Sequence, residues 1–176
     1  MNGNLLSGSA LADAAAAALA VDLVMPMIAA GMADRRFGAS GFLHLVIMDP
    51  GKLPWQCGFA EAILHEHSYG DTSAWDADYA LYAREKARVC WEHQRSGHEV
   101  RAGSPHLLRR NETGVWGGIW FDGVVVGVSG ADPWFDEAVA MSVASMLRAV
   151  AKKKALARPE SLWISDDCHD AGAPAG

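Results

Sequence analysis

Residues 118–131, followed by Asp136-Glu137, constrain the fold more than any other stretch of this chain. They read as a strand, an Asp122-Gly123 turn, a second strand and a capped helix. An Asp-Gly pair suits a two-residue type I′ turn, in which both central residues need φ > 0. Val124-Val125-Val126-Gly127-Val128 is a β-branched run broken by one glycine. Asp132 is placed to cap the next helix, and Pro133 fits its first position, where a missing N–H costs nothing. The block speaks for architecture; it holds no obvious catalytic residue.

The rest of the chain extends this pattern. Leu11, Ala14, Ala18, Val21, Met25, Ile28 and Met32 recur at spacings of three and four, the mark of a helix. Leu19, Leu23 and Val24 add apolar surface outside that stripe, so the helix is expected to be covered on more than one side. Pro26 is expected to kink or divide it. Residues 42–48 read as a strand, Asp49-Pro50-Gly51 as a turn and 58–67 as a second strand. Asp76 or Asp78 opens a helix that runs to about Gln94, and Ser96-Gly97 stops it. Residues 98–111 lack periodicity and read as an irregular loop. Val139, Val143, Met146, Leu147 and Val150 give the last helix its buried face. Hairpins rather than crossovers imply an antiparallel sheet with helices on its faces, an α+β fold. Residues 1–158 are read as one domain and 159–176 as a tail, from which Trp163 and Ile164 are placed to dock.

Composition narrows the partners. The chain has 176 residues, 51% of them hydrophobic, enough to bury a core without disulfides or a structural metal. A net charge of −6 disfavours nucleic acid and anionic membrane. The one basic run, Lys152-Lys153-Lys154, suits a helix C-terminus. Three widely spaced cysteines, Cys57, Cys90 and Cys168, favour free thiols in a reducing compartment. No Lys or Arg precedes Arg35, which argues against a signal peptide. Residues 10–33 are apolar enough to suggest insertion into a membrane. Asp13, Asp22 and Pro26 interrupt them, and one Asp near a helix centre costs about 2.5–3.5 kcal/mol on insertion scales. A cytoplasmic, membrane-free protein is the expectation.

Val125-Val126-Gly127-Val128-Ser129-Gly130-Ala131 with Asp136-Glu137 after it resembles the corresponding turn and acidic pair of the GlcG-like, HbpS-like family of small haem-binding proteins, which includes the PduO C-terminal domain. Lys86-Ala87 in the middle helix is similar to a Lys-Ala of that family, and Glu66 and Gly70 to its Glu-Arg-Met-Asp-Gly. His67 and Tyr69 stand where that pattern has Arg and Asp. The resemblance covers roughly residues 11–150. It implies a profilin-like fold, assembly into a homo-oligomer and a small-molecule ligand, haem or a related planar cofactor.

Three groups of residues could carry chemistry. His65 and His67, two apart on a strand, share a face and could give two ligands to haem or to a divalent metal ion, with Glu66 opposite. A third ligand would come from elsewhere, such as Glu85, His93, His98 or His106. Tyr82 and Lys86 are four apart on one helical face and could act with Glu66 as acid–base groups on a small aromatic or carbonyl compound; the plainer reading of Lys86 is a stem lying over apolar surface. Trp116 and Trp120 share a strand face by parity and could wall a flat ligand, although a core or subunit contact explains them as well. Asp136 and Glu137 suit a helix's first turn on charge alone. A small-ligand binding protein, an enzyme on the same fold and a structural oligomer without chemistry all remain open at this level.

Overall fold

The computed structural model describes residues 8–157. Its elements are α1 (Ala14–Ala33), β1 (Leu43–Met48), β2 (Ile63–Tyr69), α2 (Tyr79–His93), α3 (Gly97–Gly103), β3 (Gly118–Phe121), β4 (Val124–Ser129) and α4 (Pro133–Leu156). The four strands form an antiparallel sheet in the order β2-β1-β4-β3. The fold is α+β and consistent with the profilin-like class.

The Asp122-Gly123 hairpin forms as expected, with φ of 52° and 85° at its two turn residues. Alternation along the strands then sorts side chains between two faces. Leu43, Leu45, Ile47, Ile119, Val126 and Val128 face α1 and α4 and make the larger core. Val46, Met48 and Val125 face α2, which contributes Ala83, Ala87, Cys90 and Trp91. Gly118 and Gly127 are paired across β3 and β4 beneath α2. A Cβ on Gly127 would stand 2.3 Å from the Ala83 carbonyl oxygen, and one on Gly118 2.8 Å from that of Lys86. The bare backbone at these two positions lets α2 lie directly on the sheet.

Several expectations are corrected. Residues 98–111 are not an irregular loop: they contain most of α3 and a 3-10 turn at Pro105–Leu107. Nor does Ser96-Gly97 only stop α2. Gln94 ends that helix in the left-handed region, and Ser96 is the N-cap of α3, its amide donating to Glu99 at 3.1 Å. β2 begins at Ile63, because Phe59–Ala62 coil into a 3-10 turn first. Pro26 does not divide α1, which runs through it as one element. α1 is long and apolar enough to cross a membrane by length and composition, and it packs here on α4 and the sheet. Asp13 caps α1 by accepting from the Ala16 amide and also takes Lys154 of α4, joining the two helices. Trp163, Ile164 and Cys168 lie outside the described residues.

Cys90 is wholly buried under α2, and desolvation pushes its thiol up to about 12. Since the thiolate is the reactive form, iodoacetamide at mildly alkaline pH is expected to leave Cys90 unmodified in the native protein and to alkylate it in urea. Peptide mass spectrometry reads both, and native alkylation of Cys90 would contradict this packing.

Candidate active site

The close approach of α2 to the sheet carries Lys86 into the interior. Lys86 lies one turn from Ala83 and Cys90, on the helix's apolar side, and only 4% of it is exposed. Its Nζ donates to the Val128 carbonyl oxygen at 2.9 Å and to Asp136 Oδ2 at 2.7 Å. Asp136 comes from the first turn of α4 and is 1% exposed; its Oδ1 accepts from the Ala131 amide at 2.9 Å. Gly117, at φ +130°, closes over the pair: a Cβ there would lie 2.6 Å from Asp136 Cβ and 3.1 Å from Lys86 Nζ. Desolvation raises the Asp136 carboxyl to about 6, against the lowering pull of Lys86.

The pair opens on a pocket of about 280 Å³ whose lining includes Tyr79, Tyr82, Val115 and Ser129. That volume falls just under the roughly 300–1,000 Å³ of most small-molecule sites, room for a ring-sized compound. Lys86 and Tyr82, four apart on α2, both line this pocket. The plainer reading of Lys86 is corrected, since its amine is buried rather than laid over the surface. Asp136 does stand in the first turn of α4, as its charge suits, and is also the buried partner of Lys86. The signal for Asp136 was present in the sequence: it is in phase with Val139, Ala140 and Val143, all buried.

Glu66 stands apart from that pocket's lining. Arg84 grips it through two hydrogen bonds of 2.7 and 2.8 Å and holds its carboxyl below the usual range. Beside it sits His44, which the sequence reading did not single out. His44 is 6% exposed, its Nδ1 lies 2.8 Å from Ser68 Oγ, and its Nε2 lies 3.5 Å from Glu66 Oε1. Burial depresses the His44 pKa and favours the neutral ring. The Trp75 ring meets it edge-on at 5.8 Å. A lone histidine between apolar neighbours carries little signal of its own, and only the cross-strand register with Ser68 reveals the contact.

His65 and His67 do share a face, with nearly parallel rings 6.5 Å apart. They pair with Ile47 and Leu45 on the side of the sheet that carries α1 and α4. Burial, followed by the neighbouring His67, lowers the His65 pKa. Trp120 lies on the opposite side, over Val125, and its indole N–H donates to Gln94 at 3.2 Å. Trp116 is not on a strand, because β3 begins at Gly118 and Gly117 turns the chain first. It meets His98 of α3 edge-on at 4.5 Å. The sheet thus separates the histidine pair from Trp120. Two of the third-ligand candidates are engaged elsewhere: Glu85 with Arg88, His93 with Glu112. Among the described residues no three His, Cys, Asp or Glu side chains gather as a metal-binding group.

No family model matches the chain, and no curated protein or solved structure matches it significantly.

Proposed function

We propose that this chain is a small-ligand binding protein of the HbpS-like kind whose ligand, a ring-sized organic molecule, sits against Lys86, Tyr82 and Ser129. The observation that carries this reading is the buried Lys86–Asp136 pair at the floor of a 280 Å³ pocket. A pocket with few, convergent polar groups and a titratable residue displaced by burial is the usual form of a binding site. The resemblance at Lys86-Ala87 and at Asp136-Glu137 falls on the same residues.

A second reading, an enzyme acting on a small aromatic or carbonyl compound, draws on Asp136. A carboxyl near 6 beside a lysine can exchange a proton at neutral pH. Haem at His65 and His67 would need a second surface to complete its seat.

Titrations of the purified chain with benzaldehyde, benzoate and haemin separate these. Saturable binding of a ring compound is expected, and it should be lost in Val115→Trp, which fills the pocket from its exposed rim. A saturable Soret shift abolished by His65→Ala or His67→Ala, with no response to the ring compounds, would move the function to the other face of the sheet.

A further inference from the structure

We infer that Lys86 is a covalent carrier: its amine condenses with a small aldehyde or ketone seated in the pocket, forming an imine, while Asp136 moves the protons. This rests on the pocket being the ligand site and goes further by fixing the ligand's class and its bond to the protein.

The first argument is one of economy. Packing a helix onto a sheet does not require a buried ion pair; apolar residues of similar volume do this equally well or better. Here the pair, almost wholly buried, also stands among the residues that line a pocket. Nζ has three hydrogens, and Val128 and Asp136 take two of them. A buried lysine amine is the group proteins use for Schiff-base chemistry, and it needs a nearby acceptor to become nucleophilic.

Asp136 is that acceptor, and the protons balance. The Lys86 ammonium passes a proton to Asp136 Oδ2 along their 2.7 Å hydrogen bond. The free amine attacks the carbonyl carbon, forming the C–N bond, and the oxygen takes the proton back from Asp136. Asp136 then removes a second proton from nitrogen, giving a neutral carbinolamine. It returns that proton to the hydroxyl, which leaves as water while the nitrogen lone pair forms the C=N bond. The product is a protonated imine facing a carboxylate. One cation has replaced another, so the buried carboxylate keeps its partner at every resting stage. A carboxyl raised to about 6 suits both directions of this transfer. Tyr82 and Val115 border the space the carbonyl's substituent would occupy.

The test is reductive trapping on the full chain. Protein is incubated with benzaldehyde, reduced with borohydride and mapped by peptide mass spectrometry. One benzyl group per chain is expected, on Lys86 in preference to Lys52, Lys152, Lys153 and Lys154. Val115→Trp should abolish the label, and Asp136→Asn should slow it on the order of a hundred-fold. Labelling spread over the surface lysines, or its absence at Lys86 while benzaldehyde still binds saturably, overturns the imine and leaves the binding site standing. Absence of both label and binding overturns the two together.

Discussion

Asp136→Ala is expected to lower the stability of the fold by about 3–5 kcal/mol, because it leaves the Lys86 ammonium buried without its counter-charge. A folded domain of this kind holds roughly 5–15 kcal/mol in total, so this one change removes a large share. Lys86→Met combined with Asp136→Leu should recover most of the loss, since neither charge then remains. Urea unfolding of Lys86→Met, Asp136→Leu and the double variant gives the coupling directly. A double variant no more stable than Asp136→Ala would mean that the pair is not what holds α4 to α2. The same carboxylate sets a pH dependence. Burial raises it to about 6 from 3.8, so the folded chain binds its proton more tightly than the unfolded chain does. Between those values its contribution to stability is greatest on the acid side and falls as pH rises. Asp136→Asn should remove that slope from urea midpoints collected across the window.

Gly127→Val is the second large effect. An added Cβ would stand 2.3 Å from the Ala83 carbonyl oxygen and 2.6 Å from the Ala87 amide nitrogen. Both are backbone atoms, so no rotamer change relieves the clash, and α2 must lift from the sheet. A loss of about 3 kcal/mol or more is expected, at the upper end for overpacking. Lys86 rides on the same helix, so binding in the pocket should fail even at temperatures where the variant stays folded. Gly103→Ala is the control: nothing lies within 4 Å of the added atom, and a change within about 0.5 kcal/mol is expected. Thermal unfolding of the two variants side by side decides whether close helix–sheet approach, rather than glycine content, is what matters.

Much of this architecture is legible in the residues because local chemistry and global packing agree there. The Asp122-Gly123 turn, the valine run and the helix behind Asp132-Pro133 all call for the same antiparallel unit. α3 escaped because seven residues with one buried side chain, Val100, give periodicity nothing to work on; its Ser96…Glu99 spacing was the available sign. Trp116 was assigned to a strand by counting in twos, and that count fails where Gly117 takes a positive φ. Helical spacing is enough to put Tyr82 and Lys86 side by side, and both line the pocket. Joining Lys86 to Asp136 needs a contact across 50 positions, which no spacing rule supplies.

α2 brings mostly small side chains to its core, Ala83, Ala87 and Cys90 with Trp91, and relies on polar pins: Lys86 to Asp136, Arg84 to Glu66, Trp91 to the Lys52 carbonyl. A layer with so little apolar burial opens at lower free energy than the strands between the two cores. Its amides should therefore exchange with solvent sooner than those of β1 and β4. A molecule seated on Lys86 would raise that opening cost along the length of the helix, and α2 would then turn occupancy of the pocket into a change in how often one side of the protein breathes.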